Sequence, residues 1–342
     1  MGEYNVKATL KAALVGVALA GFATTASAGT LACLITKNNT NPFFVKMKAG
    51  AEAAAKEAGL DFKAFAGEKD GDAAPQLTAI ENCVAAGAKG ILITASNASV
   101  EPALKAAKAK GVLVIALDTP LGDASAQDMT FATDNFEAGT LIGAWAKAQM
   151  GDKAKDAHIA MLDINKDNIS VDVARDTGFL KGFGVDVPDL KVMGSEKDKR
   201  VVGHESTGAN PEGGQKGMET LLAKDPNINV VYTINEPTAE GAFAALKAAG
   251  KEKQALIVSV DGGCPGIKSV ASGVIGATSQ QYPLLMAAKG IEAIKAFAKD
   301  GTKPKATDGL NFFNTGVNLI TDKPAAGVKS MDSKMGTEKC WG

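Results

Sequence analysis

From residue 30 onward, short runs of β-branched and other apolar residues alternate with Ala-rich stretches whose apolar positions recur at helical spacing. A first series of runs covers 31–36, 61–66, 90–94, 112–117 and 129–133; a second covers 158–164, 191–194, 230–234, 256–260 and 275–278. Apolar runs of this kind are what strands buried on both faces need, and such strands form parallel sheets covered by helices. The stretches between them carry helix punctuation. Asn41-Pro42 supplies an N-cap and a proline at the first helical position, and Gly59 closes that helix. Similar signals bound Asp72 to Gly87, Asn97 to Gly111, Asn135 to Gly151 and Pro237 to Gly250. The alternation breaks near residue 134 and resumes, which predicts an α/β chain of two doubly wound, Rossmann-like lobes. No Pro/Ser-rich linker separates the series, so short hinge segments are expected. Beyond Lys323 the chain turns Gly-, Lys- and Ser-rich, and an irregular tail is expected up to Cys340-Trp341.

Residues 1–28 stand outside this pattern. Lys7 and Lys11 precede an apolar run from Ala12 to Ala23, and Ala26-Ser27-Ala28 then offers a small-residue cleavage site. The run is too short for a membrane span, which takes about 20 residues. A cleaved secretory signal is predicted, with the mature chain starting near Gly29 in an oxidising compartment. There Cys33, Cys83, Cys264 and Cys340 can form two disulfides in any of three connectivities, or stay as buried thiols. No C-x-x-C occurs, so neither a redox motif nor a zinc ribbon is supported.

Composition narrows the function. The 37 Lys and Arg against 38 Asp and Glu leave a net charge of −1, which argues against a nucleic-acid partner. The turn after the first strand, Lys37-Asn38-Asn39-Thr40-Asn41-Pro42, has no glycine for a dinucleotide pyrophosphate, and P-loop and G-x-S-x-G motifs are absent. The two histidines, His158 and His204, fall in separate segments without metal-ligand spacing and are expected to be structural or surface residues. No catalytic residue, metal or cofactor is predicted, and the chain is not expected to be an enzyme.

In open α/β sheets ligands bind beyond the carboxyl ends of the strands. The first series delivers Asn41, Phe43 and Phe44, then Thr94, Asp118 and Thr133; the second delivers Asn235, Asp261 and Gln281, with Arg175 expected to open the helix after Asp163. Carboxylates accept from adjacent hydroxyls, amides donate and accept, and Arg donates in a fixed fork, so the set suits an uncharged polyol. With aromatics at only 5% of the chain, the adjacent Phe43-Phe44 pair stands out as a platform for the apolar side of a sugar ring. Trp145 and Trp341 are expected to pack in the core and beside Cys340, not against a sugar.

Asn41-Pro42-Phe43-Phe44, Leu117-Asp118, Thr133-Asp134-Asn135, Arg175-x-x-Gly178-Phe179, Asn235-Glu236 and Val260-Asp261-Gly262 resemble, in order and spacing, the periplasmic sugar-binding proteins of the ribose-binding type. The resemblance runs over about residues 30–320. It implies a first lobe of 29–133 plus 282–315, a second of 134–281 plus 316–325, three hinge crossovers and a tail of 326–342. It implies further a monomer that closes on one monosaccharide and delivers it to an ABC permease with its ATPase subunit, and that a chemoreceptor can also read. Phe43 and Phe44 would sandwich the ring; Asn41 and Asp118 from one lobe, and Arg175, Asn235, Asp261 and Gln281 from the other, would hold its hydroxyls. Thr119 replaces the arginine that ribose binders carry after the strand-four Asp, Thr94 replaces an Asn, and no second-lobe aromatic stands near Ala209. The run Asp261-Gly262-Gly263-Cys264-Pro265-Gly266 and the Cys340-Trp341 tail resemble the fructose-binding branch, with ribose and mannose as further candidates. In this topology the helix between strands two and three crosses strand one, which suggests a Cys33–Cys83 bridge and leaves Cys264–Cys340.

Overall fold

The computed structural model describes Met1 and residues 29–342 except 70 and 168. The rest of the expected signal segment lies outside the described residues. In chain order come β1 (Leu31–Thr36), α1 (Pro42–Ala58), β2 (Asp61–Ala66), α2 (Ala74–Ala85), β3 (Gly90–Ile93), α3 (Glu101–Ala109), β4 (Leu113–Leu117) and β5 (Met129–Ala132). After α4 (Asn135–Met150) follow β6 (Ile159–Asp163), α5 (Ser170–Phe183), β7 (Val201–Ser206), α6 (Pro211–Lys224), β8 (Val230–Thr233) and α7 (Glu236–Ala248). The chain ends with β9 (Leu256–Asp261), α8 (Cys264–Ala271), β10 (Ala277–Gln280), α9 (Pro283–Asp300), β11 (Phe313–Asn314), β12 (Asn318–Ile320) and α10 (Ser333–Lys339).

Two six-stranded sheets result, ordered β11-β5-β4-β3-β1-β2 and β12-β10-β9-β8-β6-β7. All pairings are parallel except β10 with β12. Every residue of β1, β3 and β4 is buried, as continuous apolar runs between two helical layers require. Each sheet has an apolar cluster on either face. The chain passes between the sheets three times: from β5 into α4, from β10 into α9, and from β11 to β12. Trp145 is fully buried in the second lobe's core, and its indole N–H donates to the Lys323 carbonyl at 2.7 Å.

Three expectations are corrected. The run 191–194 lies in a turn with Val192 exposed; the strand there is β7, an edge strand whose Gly203, His204 and Glu205 break the apolar signal. The tail is ordered: Asp332 caps α10 by accepting from the Met335 amide at 2.8 Å, and Gly336 packs closely on Ile320 and Ile267. Arg175 lies inside α5 rather than at its start. All four cysteines are paired, as Cys33–Cys83 and Cys264–Cys340, the second joining α10 to the start of α8.

Candidate functional site

The carboxyl ends of both sheets border one cleft of about 820 Å³. Eight of the ten sequence-predicted residues line it: Asn41, Phe43, Phe44 and Asp118 from the first lobe, and Arg175, Asn235, Asp261 and Gln281 from the second. Thr94 and Thr133 are not among the lining residues. Thr94 is fully buried, its hydroxyl accepting from the Lys37 amide at 3.1 Å; Thr133 is 2% exposed behind the wall.

The polar groups are held by one another. Arg175, 6% exposed, donates through Nε to Asn135 Oδ1 at 2.8 Å and through NH1 to the Ile234 carbonyl at 2.9 Å, leaving NH1 3.6 Å from Asp261 Oδ1. Gln281 Nε2 donates to the same Asp261 oxygen at 2.9 Å. Burial pushes the Asp261 carboxyl up to about 6, and the Arg175 charge and the Gln281 hydrogen bond oppose that rise. Asn41 and Asn235 also cap helices: Asn41 Oδ1 accepts from the Phe43 amide at 2.9 Å, and Asn235 Oδ1 from the Thr238 amide at 3.1 Å.

Backbone strain marks the cleft independently. Among the described residues only three non-glycines have positive φ: Asp118 at 66°, Ala209 at 57° and Asp261 at 142°, and all three line the cleft. Each such conformation costs roughly 1–3 kcal/mol, and residues kept in it cluster where ligands bind.

The aromatic wall differs from the expected sandwich. The Phe43 and Phe44 rings meet edge to face, 5.5 Å apart at 83°, so they form a corner. Trp341 adds a third ring 5.2 Å from Phe43, its N–H donating to the Gln281 carbonyl at 3.2 Å. The Cys264 amide donates to the Trp341 carbonyl at 2.8 Å, so the tail brings an indole into the cleft that sequence reasoning assigned elsewhere. Glu236 was also passed over. Its carboxylate accepts from the Gly262 amide and the Thr278 hydroxyl at 2.8 Å each and from the Gly263 amide at 2.9 Å, fixing the loop after Asp261. Burial and the Asp261 charge push it upward. Its place within Asn235-Glu236 was the available signal.

Residues 32–303 match the model of the periplasmic binding protein domain. The chain belongs to the periplasmic binding protein family. Among its relatives, the ribose import binding protein RbsB of Haemophilus influenzae is 32% identical over 292 residues, covering 84% of this chain and 91% of that one. The D-apiose import binding protein of Actinobacillus succinogenes is 28% identical over 86% of this chain and 91% of its own. In fold it is similar to an ABC transporter periplasmic solute-binding protein from Actinobacillus succinogenes with bound D-allose, at a TM-score of 0.73 and 22% identity, covering 90% of this chain and 99% of that one. This periplasmic binding protein is thus of the ribose type, a non-enzymatic sugar-binding component of an ABC importer.

Proposed function

We propose that this periplasmic binding protein captures one monosaccharide, fructose first and ribose or mannose after it, by closing the lobes 29–133 plus 282–315 and 134–281 plus 316–325 around it. The carrying observation is that hydroxyl acceptors and donors of opposite lobes, Asp118 on one side and Arg175, Asp261 and Gln281 on the other, border a single cleft with an aromatic corner. Support for fructose is the small Thr119 beside Asp118, together with the Cys264–Cys340 tail that seats Trp341 in the wall. Each copy acts alone, because one chain supplies both walls. The closed form is what the permease, and a chemoreceptor, would read.

Calorimetric titration with fructose, ribose, mannose, allose and apiose tests this. Fructose is expected to bind one per chain and most tightly. Sugar hydroxyls donate to the ionised Asp261 carboxylate, so affinity is expected to weaken as pH is lowered through about 6. A pentose preferred over fructose would remove the fructose assignment, and no bound monosaccharide would remove the site.

A further inference from the structure

Away from the sugar wall, on the face of the second sheet that α5 covers, acidic side chains converge on one imidazole. The topology places them there. Ile159, Met161 and Asp163 alternate onto one face of β6, where Met161 pairs with His204 of β7 on one side and Tyr232 of β8 on the other. The helix α5 lays Asp172, Asp176, Phe179 and Phe183 over that face at helical spacing. His204 Nδ1 stands 2.9 Å from Asp163 Oδ2 and 3.4 Å from Asp176 Oδ2, and its Nε2 stands 2.9 Å from Glu196 Oε1.

The carboxylates outnumber what one imidazole satisfies. Asp176 is 0% exposed and neither of its oxygens accepts a hydrogen bond; Asp163 Oδ1 and Glu196 Oε2 also lack donors. The Tyr232 hydroxyl is fully buried without a partner, within the field of Asp172, Asp163 and Asp176. Buried carboxylates without donors are costly, and one imidazolium carries a single positive charge against this group.

We propose that Asp163, Asp176 and His204 form a binding site for a divalent cation of the zinc class. Donors about 2.0–2.2 Å from one tetrahedral zinc ion stand about 3.3–3.6 Å apart. The 3.4 Å separation falls in that range, the 2.9 Å one lies a few tenths of an ångström below it and would open as the ion enters, and all three donor atoms lie within 4.8 Å of one another. Burial is outweighed by hydrogen bonds to Asp163 and Glu196, which hold His204 protonated, so the entering ion displaces the Nδ1 proton to solvent while Glu196 keeps accepting from Nε2–H, the carboxylate–histidine–metal arrangement that orients a ligand ring. Two carboxylates and one neutral imidazole balance a doubly charged ion. Asp172, next to this group, accepts from the Ile164 amide at 2.8 Å, which links it to the loop after β6 that lines the sugar cleft.

The test is titration of the untagged full chain with Zn²⁺ after chelator treatment, read by calorimetry and melting temperature. One ion per chain and a raised melting temperature are expected. His204→Gln and Asp176→Asn should abolish both, and Glu196→Gln should weaken binding about 10- to 100-fold. Asp176→Asn removes a crowded buried carboxylate, so it is expected to fold, which far-ultraviolet circular dichroism would check. His158→Ala, which removes the surface histidine paired with Asp225, should leave binding unchanged. No stoichiometric binding, or a signal lost in His158→Ala and retained in His204→Gln, would overturn the site.

Discussion

Asp118 holds a conformation that favours glycine while keeping a side chain that glycine lacks. At φ 66° its Cβ crowds the backbone, a strain of roughly 1–2 kcal/mol for an L-residue. The carboxylate is held in turn by the Thr119 hydroxyl at 2.9 Å. If the strain is retained for the ligand, two truncations of this residue separate. Asp118→Ala keeps the strain and Asp118→Gly releases it, so the Gly variant should be the more stable by about 1 kcal/mol, reversing the usual order of those residues. Both should lose sugar affinity about 10- to 100-fold, the value of a hydrogen bond to a charged group. Chemical denaturation ranks the stabilities; an Ala variant more stable than the Gly variant would show that φ here is not strained.

At the scale of elements, what was legible is what local sequence determines. The strands β1, β4 and β8 are dominated by apolar residues and buried throughout, and α1 and α7 announce themselves by Asn caps followed by proline. What escaped depends on partners far along the chain. The edge strand β7 is held by its ladder to β6 and by the ion pairs of His204, and β11 and β12 span only 2 and 3 residues. The helix α10 owes its place to a disulfide 76 residues long in sequence separation and to Gly336 against Ile320. The same reason hid Trp341, whose neighbours Phe43 and Gln281 are remote in sequence. The cleft lining follows the rule too: Asp118 just after β4 and Asp261 at the end of β9 were visible as strand-end residues, whereas Thr94 looked equivalent and is consumed by a backbone bond. Trp341 is 5% exposed, so Trp341→Ala should cost about 3 kcal/mol of stability and also weaken sugar binding. Denaturant unfolding and calorimetry read the two losses; unchanged affinity would confine Trp341 to the core.

For the molecule as a whole, the division of the wall between two sheets matters more than any single contact. Phe43, Phe44 and Asp118 belong to the first sheet's edge, and Arg175, Asn235, Asp261 and Gln281 to the second's. In the proposed mechanism a sugar resting on one lobe gains the other lobe's bonds only when the three crossing segments let the lobes close, so that ligand binding and closure would be one equilibrium. Moving such an equilibrium from 1:99 to 99:1 takes about 5.5 kcal/mol of differential binding. Two to four hydrogen bonds to charged groups, at about 1.5–3 kcal/mol each, supply it. The Arg175–Asp261–Gln281 cage has that capacity, and Asp261 is the acceptor on which both other members converge. Asp261→Ala should therefore uncouple the two processes. In the native chain, saturating fructose should lower the radius of gyration measured by small-angle X-ray scattering. In the variant, fructose at concentrations high enough to fill the first-lobe wall should leave that radius near its sugar-free value. Equal compaction in both would show that closure does not depend on the second lobe's carboxylate.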